Sequence, residues 1–295
     1  MATFLLPLLG AIRRRDFQAA RRLALCLAAA CAIEVVCGGA ARAQPAAPLS
    51  DVELSKEAEN PLSYLITLPL RYQADFDEGP YDAVKSTFEL DQAVLPFRLN
   101  DDWDLITRTK LPFESEPPKN LNDPWETGLS NGYTTFFLTP RQGDGIFWGA
   151  GPVLYYPTAT NSAVGVNKWG AGPSFAVLKK DSNPWEWGIV VNNIWSFGGP
   201  PQGKDRTNSL LVNPFISYHF SNGWSLGTSP NVETDWLSKE GQQWTVPLGG
   251  GIAKVFRIGP QPMKLALDSY YNTVRPQAGS DTWVVTVTLT FLFSK

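Results

Sequence analysis

Residues 281–295, DTWVVTVTLTFLFSK, sort their side chains by parity. Trp283, Val285, Val287, Leu289, Phe291 and Phe293 fall on one face; Thr282, Thr286, Thr288, Thr290 and Ser294 fall on the other, with Val284 and Leu292 as exceptions. Successive side chains leave a pleated strand on opposite faces, so the pattern predicts a strand with one apolar and one polar face. Eleven further segments after residue 60 read the same way: 62–73, 83–97, 103–112, 126–139, 146–157, 167–178, 185–197, 208–220, 224–236, 243–257 and 262–273. Each is as long as the roughly 9–11 residues that a tilted strand needs to cross a bilayer, with overhang.

The connections alternate in length. Asn100-Asp101-Asp102, Gln142-Gly143-Asp144-Gly145, Asp181-Ser182-Asn183-Pro184, Ser221-Asn222-Gly223 and Ile258-Gly259-Pro260-Gln261 are tight turns, rich in residues that supply turn conformations. Longer links, 113–124, 158–166, 198–206, 237–241 and 274–280, come between them. Short turns on one side and longer loops on the other characterise outer-membrane barrels, whose turns face the periplasm. All eleven tryptophans sit near strand ends: Trp103, Trp148, Trp185, Trp187 and Trp224 on the short-turn side, Trp125, Trp169, Trp195, Trp236, Trp244 and Trp283 on the other. Indole has an apolar body and one donor that prefers water, which suits two interfacial belts.

Lys85, Thr87, Glu89 and Asp91 share one strand face, Arg108 and Lys110 another, Glu186 and Asn192 a third, and Lys264, Asp268 and Asn272 a fourth. Such faces are too polar for a dry core and predict a wet, charged lumen. The expected fold is therefore all-β: a transmembrane antiparallel up-and-down barrel of about twelve strands. Pro69, Pro96, Pro152, Pro173, Pro214, Pro230 and Pro247 fall within these strands. Proline removes a ladder donor, so bulges or bends are expected there.

Ahead of the barrel, Arg13–Arg15 and Arg21–Arg22 precede an apolar stretch at 23–33 too short to span a membrane, and Ala41-Arg42-Ala43 fits a small-x-small cleavage site. Residues 1–43 are expected to be a signal peptide, 44–60 a flexible periplasmic segment in preference to a plug, and 61–295 the barrel. Cys26, Cys31 and Cys37 all precede residue 44, so the mature chain needs no disulfide or thiolate chemistry. Setting aside six Arg and two acids before residue 44 leaves 19 basic and 26 acidic residues, a net of −7. That argues against a nucleic-acid partner. No apolar run of 18 follows residue 43, so any membrane crossing is made by strands.

Candidate chemistry is sparse. Trp-Gly-Ala-Gly-Pro occurs at 148–152 and 169–173 without the spacing of a dinucleotide fingerprint; with Trp on lipid, Gly149, Gly151, Gly170 and Gly172 face inward, giving curvature or room for an inserted segment. His219 is the only histidine and the one plausible general base. No cluster has metal-ligand spacing, and no cofactor or catalytic residue is expected. The lumen-lining candidates are Arg71, Glu89, Arg108, Lys110, Glu186, Asn192 and Asp268.

Several motifs together, Asn100-Asp101-Asp102-Trp103 with Leu105 to Thr109, Trp148 to Pro152, Asn213-Pro214-Phe215, Asn222-Gly223-Trp224 and Trp244 to Gly251, resemble Gram-negative outer-membrane proteins. These are catalogued as transporters near the "MetA-pathway of phenol degradation" family, some under the name neuromedin U. The resemblance runs from about Pro61 to Phe293. It implies a barrel in the outer-membrane lipid and passage of small organic solutes, and it transfers no catalytic residue. Barrels of this class usually end on an aromatic residue read by the barrel assembly machinery; here Ser294 and Lys295 follow Phe293. The alternatives are a barrel enzyme acting on lipid and a soluble periplasmic β protein binding an apolar ligand.

Overall fold

The computed structural model describes residues 49–118, 120, 122–141, 145–166, 168–180, 184–198, 206–276 and 280–293. The expected signal peptide, parts of two tight turns and the final Ser294-Lys295 lie outside them. Among the described residues, one helix precedes fourteen strands: α1 (Asp51–Glu59), β1 (Ile66–Glu78), β2 (Ala83–Arg98), β3 (Trp103–Glu116), β4 (Glu126–Leu129), β5 (Tyr133–Pro140), β6 (Ile146–Tyr155), β7 (Trp169–Lys180), β8 (Trp185–Gly198), β9 (Asn208–His219), β10 (Trp224–Thr228), β11 (Val232–Asp235), β12 (Trp244–Ile258), β13 (Gln261–Val274) and β14 (Trp283–Phe293). β4 and β5 are the two halves of one wall strand, both paired with β3. β10 and β11 are likewise halves of one strand between β9 and β12. The wall thus has twelve antiparallel strands, and β1 pairs with both β2 and β14 to close it, from Ile66↔Phe293 to Phe76↔Trp283. Closure removes every sheet edge, which an open sheet in lipid could not tolerate.

The last strand settles which face is which. Thr286, Thr288 and Thr290 are buried inside, while Trp283, Val287 and Phe293 are exposed on the outer surface. Ten of the eleven tryptophans are exposed, all but Trp103, and they lie at the strand ends. Edge-to-face pairs tie neighbours within each belt, Trp103 to Trp148 at the short-turn end and Trp236 to Trp244 at the long-loop end, with centroids 6.1 and 5.8 Å apart. Outside is a membrane surface, and the fold is a transmembrane barrel.

The in-strand prolines divide into two groups. Register shifts or breaks accompany Pro69, Pro230 and Pro247. Opposite Pro152 the β5–β6 ladder lapses between Thr135↔Val153 and Leu138↔Ala150, and opposite Pro173 the β7–β8 ladder lapses between Ala171↔Trp195 and Ser174↔Asn192. Pro96 and Pro214, by contrast, stay in register opposite Ile106 and Ile189, so the expected bulge is absent there. A separate bulge in β2, between Leu90 and Ala93, switches the inward parity. Glu89 points inward before it, Asp91 within it and Val94 after it, which brings Val94 opposite Arg108.

Candidate functional site

The lumen is not empty, and the segment that fills part of it corrects an expectation. Residues 51–59, read from sequence as flexible, form α1 inside the barrel. A capping box starts it: the Glu53 amide donates to Ser50 Oγ at 3.3 Å and the Ser50 amide donates to Glu53 Oε2 at 2.8 Å. Asp51 and Glu53 in the first turn and Lys56 in the last complement the helix dipole. The Asn60 amide ends the helix on Lys56 O. Nine residues are too few to be helical alone in water, so the seat must stabilise them.

That seat is both apolar and polar. Leu54 joins Leu65, Val255 and Leu292 in a buried cluster, with Leu49 and Ala58 packed against it. This explains Leu292, one of the two apolar residues on the threonine face: it meets the helix. Around the cluster, Glu57 pairs with Lys180 and accepts from Ser63 Oγ at 2.6 Å. Glu59 pairs with Lys264 and accepts from Ser225 Oγ at 3.0 Å. At the short-turn rim, Arg257 donates to Leu49 O at 3.0 Å and lies 3.6 Å from Asp51.

His219 completes the latch. Its Nδ1 meets Ser55 Oγ at 2.9 Å, and its Nε2 lies 3.3 Å from Glu186 and 3.8 Å from Glu59. Burial works against the Glu59 charge, but the neighbouring Lys264 and His219 outweigh it and hold the carboxyl at about 2 instead of its ordinary 4.5. Ser55, His219 and Glu186 have the order of a nucleophile, base and acid. Ser55 is 0% exposed in the middle of a docked helix, however, so no acyl group can reach its oxygen in this state. The trio fastens α1 to the wall.

Beyond the helix, Leu62 inserts into a second buried cluster with Ile106, Phe137, Leu178 and Val190. The expected wet, charged lumen is therefore only part of the interior: the region around Leu62 is packed with apolar side chains. Gly149 makes this possible. A Cβ there would lie 2.9 Å from Leu62 Cδ2 and 3.1 Å from Phe137 Cβ, so at this position the Trp-Gly-Ala-Gly-Pro motif gives room to an inserted segment.

Between the plug and the wall lies a cavity of about 200 Å³. Ala58 to Pro61 border it on the plug side, and Arg71, Asp91, Arg108, Lys264 and Asp268 are its charged wall residues. Arg71 pairs with Asp91 at 2.5 Å and approaches Glu89 at 3.7 Å; Lys110 reaches Glu89 at 3.1 Å. Asp268 accepts from Thr286 Oγ1 at 3.4 Å. Of the lining candidates, Arg71, Arg108 and Asp268 border the cavity, and Glu89 and Lys110 back it through their ion pairs. Glu186 is buried under the helix beside His219, and Asn192 sits on the inward face of β8 opposite Ser174 and Leu211. Sequence reading missed the plug contacts Ser55, Glu57, Glu59, Leu62 and Lys180. One signal could have found them: Ser50-Asp51-Val52-Glu53 is a capping-box sequence.

No family model matches the chain, and the comparison with curated proteins returns no match. Solved structures do match. The COG4313 outer membrane channel from Pseudomonas putida F1 aligns over 85% of this chain and 100% of its own, with TM-score 0.61 and 15% identity. The NanC porin aligns over 78% of this chain and 100% of its own, at TM-score 0.49 and 9% identity. The CymD monoaromatic hydrocarbon channel aligns over 84% and 91%, at TM-score 0.42 and 8% identity. At 15% identity what the first of these shares with the chain is architecture, the fold of an outer-membrane β-barrel.

Proposed function

We propose that the chain is an outer-membrane channel for small organic solutes, with residues 49–65 as its gate. The observation that carries this reading is the charged cavity held between a closed, lipid-facing wall and a helix fastened inside it. Eight strands enclose a side-chain-filled interior and sixteen or more an open aqueous pore, so a twelve-strand wall suits a narrow, regulated path. The short turns face the periplasm, and the seat of α1 lies at that end. The sequence resemblance to transporters near the phenol-degradation family supports organic solutes as cargo. Delivery by a cleaved signal at 1–43 and insertion by the barrel assembly machinery belong to the same reading.

Proteoliposome swelling with the mature protein tests it. Entry of small neutral solutes with a sharp size cut-off is expected; liposomes that swell no faster than protein-free controls overturn the channel reading. The hydrolytic alternative has one observation on its side, the Ser55–His219–Glu186 line. Lipid hydrolysis by the mature protein that disappears in His219→Ala would favour it over a latch.

A further inference from the structure

Four cations lie at the level of the cavity, and three are spoken for. Arg71, Lys110 and Lys264 each have a carboxylate within 4 Å. Arg108 has none among the described residues, and its Nε is buried without an acceptor although the side chain borders the cavity. A guanidinium presents five donors in a fixed fork, and a buried donor left without an acceptor is costly; Asp91 acts on the Arg108 charge only from beyond ion-pair distance. Part of the lining beside it is apolar: Val94 stands directly opposite Arg108 on the β2–β3 ladder, with Thr135 on its other side, and Val190 and Phe215 continue the lining as members of the buried cluster around Leu62. A cavity of about 150 Å³ is enough to hold benzene. The space here, about 200 Å³, has room for one ring and a small charged group.

We infer that this cavity is a binding site for a small organic carboxylate, its two oxygens on the Arg108 fork and its apolar part, about one ring in size, against Val94, Val190 and Phe215. Carboxylate and guanidinium match in planar bidentate geometry, which neither an alcohol nor a spherical anion reproduces. The inference rests on the channel reading and names the class of solute that the channel holds on its way through.

Calorimetric titration of the mature protein in detergent with benzoate, benzyl alcohol and acetate tests it, alongside glycerol-driven swelling of proteoliposomes from the same preparation. Benzoate is expected to bind saturably and at least tenfold more tightly than the other two. Arg108→Gln, checked for folding by its heat-dependent gel migration, is expected to lose at least tenfold in benzoate affinity, and Arg108→Lys to recover part of it. Benzyl alcohol matching benzoate in the unaltered protein overturns the inference whatever the variants do, as does benzoate affinity unchanged in folded Arg108→Gln. Acetate matching benzoate reduces the site to a simple anion site and overturns the organic part. Benzoate bound through Arg108 in a protein that swells no liposomes keeps the site and discards the channel.

Discussion

Ser55 on the inserted helix and His219 at the end of β9 are hydrogen-bonded, Oγ to Nδ1 at 2.9 Å, although 164 positions separate them in sequence. The bond belongs to a buried polar patch in which Glu59 faces Lys264, His219 and Ser225, and Glu186 approaches the same His219 Nε2 as Glu59 does. Docking of α1 is therefore an electrostatic as well as an apolar event.

Acid should undock it. The Glu59 carboxyl is depressed from 4.5 to about 2 in the docked state, so its contribution is complete above pH 4.5 and is lost as pH falls toward 2. Single-channel conductance should be flat from pH 7 to 5 and rise between 4.5 and 3. Glu59→Gln should flatten that rise. Conductance that stays constant down to pH 3 in the unaltered protein would sink the idea.

Removing the partner should act at neutral pH. Lys264→Met leaves Glu59 without its ammonium, and hydrogen bonds to charged groups contribute about 1.5–3 kcal/mol each. A more than tenfold rise in the open fraction is expected, together with faster protease cleavage within residues 49–60. Wild-type cleavage kinetics would show that the pair contributes little to docking.

Gly149 and Leu62 should couple. Gly149→Ala forces a methyl to within 2.9 Å of Leu62, and overpacking of this kind typically costs about 1–3 kcal/mol. Leu62→Ala alone leaves a void. The double variant should recover more conductance block than the two single effects predict, because the added methyl and the removed side chain compensate. Strict additivity in a double-mutant cycle would remove Leu62 from that contact.

Neighbours on β14 should respond oppositely to charge. Val287 is exposed on the outer face and Thr288 is buried inward. An Arg on the lipid face near the bilayer midplane costs about 2–4 kcal/mol, whereas lumen substitutions tune selectivity. Val287→Arg should lower the yield of barrel folded into vesicles; Thr288→Arg should fold and shift ion selectivity toward anions. Equal yields would contradict the assignment of the two faces.

The wall was readable because its signal repeats. Period-2 alternation, turn residues at every second junction and tryptophan at strand ends all point to one architecture, and β8 at Trp185–Gly198 lies within a residue of its expected bounds. The inserted helix was not, because nine residues carry too little periodicity and its partners, Lys180, His219, Lys264 and Leu292, come from four different strands. Glu186 illustrates the limit: its inward face was evident from parity, but its meeting with His219 on the neighbouring strand β9, beneath the helix, was not. Arg108 was legible as an inward cation. Its isolation was not, since that depends on Asp91 and Glu89 pairing with Arg71 and Lys110 instead.

Six residues, 60–65, join α1 to β1. Fully extended at about 3.5 Å each, they give a released helix a leash of roughly 20 Å. A helix so tethered cannot diffuse away, and its local concentration at the vacated seat is of millimolar order. Under the proposed gating, each opening closes itself without a second protein, and the length of that leash sets how readily the helix returns.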